Sequence, residues 1–147
     1  MKEILLNDNW LFHKENEVEG CVTLPHTYNA VDGQSGISMW RGKGFYKKEV
    51  LFSEEDLKEK IFLEIGASAM KSTVYMNGKT ICHNTCPYAM YRIALNEHII
   101  VGKNLLEIVT DNTATDEVYP QMADFSFYGG VYRDVKLVFV PQQLHFD

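Results

Sequence analysis

The sequence predicts an all-β fold, an antiparallel jelly-roll β-sandwich with at most two short helices. Three observations predict it. Apolar residues recur at every second position in several short runs, an Asn-Gly pair separates two such runs, and only one segment carries a helical signal. In chain order, residues 2–6, 10–13 and 45–52 read as strands of moderate signal. Ser53-Glu54-Glu55-Asp56-Leu57-Lys58 reads as a short helix: Ser53 can cap it, acidic residues suit its start, and Lys58 and Lys60 suit its end. Ile61, Leu63 and Ile65 then share one face of a pleat. Residues 72–76 and 79–82 flank Asn77-Gly78, the pair that a two-residue turn with positive φ at both centres demands. Residues 88–94 form a weaker strand, and residues 105–110 a stronger one started by a turn at Gly102-Lys103-Asn104. In the last run Val131, Val135, Leu137 and Phe139 share a face with Arg133, which is expected to be an ion-paired core residue. So little helix cannot cover both faces of a parallel sheet, which excludes the α/β class.

The chain has 147 residues, of which 46% are hydrophobic and 23% charged, enough for one domain with a core of its own and unlike a disordered chain. A formal net charge of -6 repels a phosphate backbone and an anionic bilayer, so neither nucleic acid nor membrane is an expected partner. No apolar run reaches the ~18 residues of a membrane span. The three apolar residues Ile4-Leu5-Leu6 are too few for a signal-peptide core, so the expected location is cytoplasmic. Cys21, Cys82 and Cys86 are too few for a disulfide framework. One close cysteine pair is half of what a zinc ribbon needs, so the cysteines are expected to be semi-buried free thiols and no metal site is expected.

Two stretches, residues 25–44 and 111–130, have no strand or helix period and are longer than an ordinary connection. The first holds His26, Tyr28, Asn29, Asp32, Trp40 and Arg41, and the second Asp111, Asp116, Tyr119, Asp124, Phe125 and Tyr128. Aromatic rings pack on the C–H face of a pyranose, while carboxylates, amides and arginine bond its hydroxyls. The mixture suits sugar binding. It equally suits loops anchored to a sandwich by their aromatics. Gly42-Lys43-Gly44 lacks the third glycine and the following helix of a nucleotide cradle. No nucleophile-elbow pattern supports a Ser/His/Asp triad.

Ordered motifs then narrow the reading. Residues 22–30 (VTLPHTYNA), Asp32-Gly33, residues 40–48 (WRGKGFYKK), residues 74–78 (VYMNG), and Tyr119-Pro120 followed by residues 124–135 (DFSFYGGVYRDV) resemble the N-terminal domain of glycoside hydrolase family 2. The resemblance runs from Leu6 to about Val140. It implies a galactose-binding-domain-like jelly roll called the sugar-binding domain, filling residues 1–147. It further implies that an immunoglobulin-like sandwich and a (β/α)₈ barrel, absent from this sequence, follow it in the parent. That barrel carries both catalytic glutamates of a retaining β-glycosidase, so no catalytic residue is expected here. Asp124 corresponds to a residue that touches the terminal sugar. Trp40 and Arg41 match an element whose role is loop architecture first and sugar proximity second.

The implied function is therefore one wall of the active site of a β-galactosidase-like enzyme, with β-glucuronidases and β-mannosidases among the family's members. The isolated chain is expected to be inactive. The alternatives are a free-standing carbohydrate-binding module and a structural or docking domain without sugar contact. The expected partners are a carbohydrate substrate and the downstream domains of the same protein. No cofactor is expected to be needed by this chain, whereas sodium or magnesium, and a homo-oligomer, stay open for the intact enzyme.

Overall fold

The computed structural model describes residues 2–14, 18–24, 26, 43–66, 68–69, 71–85, 90–111, 130–131 and 133–141. Along them run β1 (Lys2–Leu5), β2 (Trp10–Lys14), β3 (Gly20–Val22), β4 (Lys43–Phe52), β5 (Lys60–Ile65), β6 (Ser68–Ala69), β7 (Lys71–Met76), β8 (Lys79–Asn84), β9 (Tyr91–Ala94), β10 (Gly102–Asp111), β11 (Gly130–Val131) and β12 (Val135–Val140). Four strands form a sheet in the order β1-β12-β5-β9, six form a second in the order β3-β2-β4-β10-β7-β8, and β11 pairs with β6. Every pairing is antiparallel, as the sequence predicts.

Alternation along the strands makes the core. Tyr46, Val50 and Phe52 of β4, Leu106 and Ile108 of β10, and Val74 and Met76 of β7 face Ile61, Leu63, Ile65, Leu137 and Phe139 of the other sheet, all buried. The outer side of the four-stranded sheet carries charged residues beside Val138 and Phe62. There Lys136 lies between Glu3 and Glu64 at 3.2 and 3.3 Å, and Arg92 reaches Glu64 at 2.6 Å, so charges alternate across the strands. The two cations hold the Glu64 carboxyl below its usual range, Arg92 first.

The hairpin is as the sequence predicts: Asn77 and Gly78 have φ of 54° and 86°, and Met76 pairs with Lys79. The predicted helix is shorter than expected, a single 3₁₀ turn at Asp56–Lys58 with none of its residues buried. Ser53 and Asp56 exchange hydrogen bonds of 2.9 and 3.1 Å, which starts a helix. Without an apolar face to bury, nothing propagates it.

The last run is corrected. It is two strands: Val131 belongs to β11 against β6, while β12 starts at Val135 between β1 and β5. Arg133 is exposed at the corner between them and does not lie in the core. The period-2 pattern passes through this corner without a break in sequence, because Val131 and Val135 are buried on either side of it. The corner packs on Gly66, whose N–H donates to the Asp134 carbonyl at 2.8 Å, and a Cβ at position 66 would lie 2.7 Å from Arg133 Cβ. Of the thiols, Cys82 is half-buried, but Cys21 is exposed on the short edge strand β3, contrary to expectation. Cys86 lies outside the described residues.

Candidate functional site

The two ends of the sandwich are built differently. At one end the connections are short and pinned. The hairpin turn at Asn77-Gly78 lies there beside the start of β10, and Asn104, only 1% exposed, joins the two. Asn104 Oδ1 accepts from the Ile100 N–H and from Asn77 Nδ2 at 2.9 and 2.8 Å, while its Nδ2 donates to the Ile100 and Gly102 carbonyls at 2.8 and 3.1 Å. Asn77 Oδ1 in turn accepts the Leu105 N–H at 2.9 Å.

At the opposite end both long stretches enter and leave the fold. Residues 27–42 run between His26 and the first residue of β4, Lys43. Residues 112–129 run between the last residue of β10, Asp111, and Gly130. Lys43 and Asp111 are cross-strand partners, the final pair of the long β4–β10 ladder. The other two roots also meet, since the His26 N–H donates to the Val131 carbonyl at 2.8 Å.

Tyr46 sits between these roots. Alternation along β4 turns its ring inward, where it is 1% exposed. The ring packs at a centroid distance of 4.7 Å on Phe12, its cross-strand partner, and at 6.4 Å on Trp10. Its hydroxyl lies 2.7 Å from His26 Nδ1 and accepts the Val131 N–H at 3.4 Å. The His26 ring stacks edge-on against Phe12 at 4.7 Å. Burial, with the charge of Lys14 adding to it, lowers the His26 pKa below the usual histidine value and favours the neutral ring. A neutral ring suits a hydroxyl that takes the Val131 N–H and gives its own hydrogen to Nδ1. Close by, Ser72 Oγ of β7 meets Tyr91 Oη of β9 at 3.0 Å and links the two sheets at this same end.

Asp124, Trp40 and Arg41, the residues the resemblance points to, lie outside the described residues. The structure describes the anchorage of the stretches that carry them. The bonded group of His26, Tyr46 and Val131 was not legible as a unit. Its one sequence signal is a tyrosine at a core-facing position, whose hydroxyl must find a partner when buried. An open groove of about 680 Å³ lies away from this end, lined in part by Lys47, Asn77, Lys103 and Asn104. The Asn77 and Asn104 amides are engaged with each other and with backbone, and Lys47 pairs with Glu19 at 2.9 Å, so these groups are not turned to a ligand.

Comparison with known proteins agrees with the fold. Residues 2–141 match the model of the family described as "Glycosyl hydrolases family 2, sugar binding domain". A β-glucuronidase of Bacteroides fragilis is 33% identical over 146 residues, covering 96% of this chain and 21% of that protein. The crystal structure of an FMN-binding β-glucuronidase from Faecalibacterium prausnitzii superposes with a TM-score of 0.86 at 34% identity, over 95% of this chain and 22% of that one. A putative β-galactosidase from Bacteroides fragilis superposes with a TM-score of 0.84 at 25% identity, over 94% and 23% of the two chains. The chain thus spans about a fifth of the length of the curated relatives it matches. It belongs to the sugar-binding domain family of the family 2 glycosyl hydrolases.

Proposed function

We propose that this chain is the N-terminal sugar-binding domain of a retaining β-glycosidase that removes terminal, non-reducing β-linked sugars, and that it supplies one wall of the active site. In this reading the two catalytic carboxylates belong to a downstream barrel, and the loop from Tyr119 to Tyr128 closes one side of the pocket. Asp124 accepts hydrogen bonds from hydroxyls of the terminal sugar, and Trp40 and Arg41 shape the neighbouring stretch. The observation that carries the reading is the convergence of all four loop roots at one end of the sandwich, His26 on Val131 and Lys43 on Asp111. Functional stretches are commonly displayed in this way by a rigid scaffold. Between the sugars, a β-glucuronide is favoured over a β-galactoside, because the two β-glucuronidases named above, at 33% and 34% identity, are more similar to the chain than the putative β-galactosidase at 25%.

The test is Asp124→Asn in the enzyme that carries this chain, assayed on nitrophenyl β-glucuronide, β-galactoside and β-mannoside. A charge-assisted hydrogen bond of ~1.5–3 kcal/mol that forms fully only in the transition state predicts a loss of about 10- to 200-fold in kcat/KM. The melting temperature should hold. Activity within a factor of two, or a parallel loss of stability, sinks the sugar-contact role.

A further inference from the structure

The four roots are tied in pairs of very different strength. Lys43 and Asp111 close a ladder in which β4 and β10 pair along their whole length, from Gly102↔Phe52 to Asp111↔Lys43. His26 and Val131 are joined by one backbone hydrogen bond and by the Tyr46 hydroxyl. Phenylalanine would fill the aromatic cluster of Trp10, Phe12 and His26 as well as tyrosine does. A buried hydroxyl costs desolvation, and that cost is offset only by its bonds. Two such bonds go to the root of one long stretch and to the root of the other. Tyr46 itself stands on β4, held between β2 and β10, so it is a fixed reference to which both roots can be set.

We propose that the Tyr46 hydroxyl is a positioning group that holds together His26 and Val131, the residues from which the stretches 27–42 and 112–129 depart, and that through the second it acts on the contact of Asp124 with the sugar. The second half of this statement rests on the sugar-contact reading above, whereas the first half does not. Tyr46 touches no substrate in this scheme; it acts through His26 and Val131. His26 is the adaptable partner, because its Nδ1 needs only to accept.

The test has two arms. In the 147-residue chain, amide hydrogen exchange is followed by NMR in wild type and Tyr46→Phe. The His26 and Val131 amides should exchange at least about tenfold faster in the variant, while Ile108 and Leu63 in the central ladders change less than about twofold. Unchanged protection at both roots, or equal acceleration everywhere, overturns the tie. In the enzyme that carries this chain, Tyr46→Phe should lower kcat/KM about tenfold in the wild-type background and less than about twofold in the Asp124→Asn background, because both changes act on one contact. A full tenfold loss in both backgrounds refutes the route through Asp124. If Asp124→Asn is silent while Tyr46→Phe frees both amides, the sugar-contact reading falls and the tie stands. Should Tyr46→Phe not fold, His26→Gln and His26→Ala replace it. The glutamine keeps an acceptor for the hydroxyl and should retain the Val131 protection that the alanine loses, and equal behaviour of the two refutes the proposal.

Discussion

Asn104→Ala is the perturbation whose cost the structure defines most completely. The side chain is 1% exposed and makes four hydrogen bonds, two through Oδ1 and two through Nδ2, so its capacity is filled. Its partners at Ile100 and Asn77 are exposed and can turn to water, which removes the largest penalty, that of polar groups stranded in the dry interior. What is lost is the net value of the bonds, ~0.5–1 kcal/mol each, or ~3 kcal/mol together. An unfolding entropy of ~2.1 cal/mol/K per residue over 147 residues turns that into a fall of about 10 °C in melting temperature. Calorimetry and urea unfolding of the chain measure it, with the urea m-value unchanged. Asn104→Asp is the sharper control. It keeps size and shape but turns two donors into acceptors facing the Ile100 and Gly102 carbonyls, and should cost at least as much near neutral pH. A fall below about 2 °C for the alanine, or an aspartate variant as stable as wild type, refutes the view that this amide pins the turn to β10.

Gly66→Ala should destabilise by ~1–3 kcal/mol through overpacking, because the new Cβ meets Arg133 Cβ at 2.7 Å and the Asp134 carbonyl oxygen at 3.0 Å; an unchanged urea midpoint would show that the corner relaxes freely. The lowered His26 pKa gives stability that is fully present above the unfolded value of 6.5 and is lost as pH falls from there through the folded value. Wild type should therefore lose stability relative to His26→Gln between pH 7.5 and pH 5.5, and parallel curves would refute the coupling. Glu64, also lowered, adds a separate loss below 4.5 that Glu64→Gln should remove. The purified chain should not hydrolyse nitrophenyl β-glucuronide or β-galactoside above background, since glycoside hydrolysis needs two carboxylates about one bond; turnover abolished by a substitution within the chain would place an active centre here.

Much of the scaffold was legible because alternation and burial coincide. Ile61, Leu63 and Ile65 read as one face and are 0% exposed, and Asn77-Gly78 reads as a hairpin turn and is one. Legibility failed where a strand changes partner without changing its pattern. Val131 and Val135 lie in one period but in different sheets, and Arg133 between them is exposed at the corner. β3 and β6, at three and two residues, are too short to carry a period. The location of the site was legible only as two unpatterned stretches. That they share an end depends on the pairing of residues far apart in sequence, Asp111 with Lys43 and His26 with Val131, and no local signal encodes those pairings.

The contrast between the two ends bears on the proposed function. At the pinned end, side-chain amides satisfy backbone groups within the turns themselves, Asn104 on Ile100 and Gly102 and Asn77 on Leu105. That arrangement fixes local geometry and engages both amides. At the other end polar atoms of Tyr46 and His26 bind the roots of the two stretches. A polar residue buried in an apolar cluster is costly, and bridging two distant roots is a role that no apolar residue could take over. The sandwich is held by its alternating apolar faces, and the few buried polar bonds decide where its two long stretches begin.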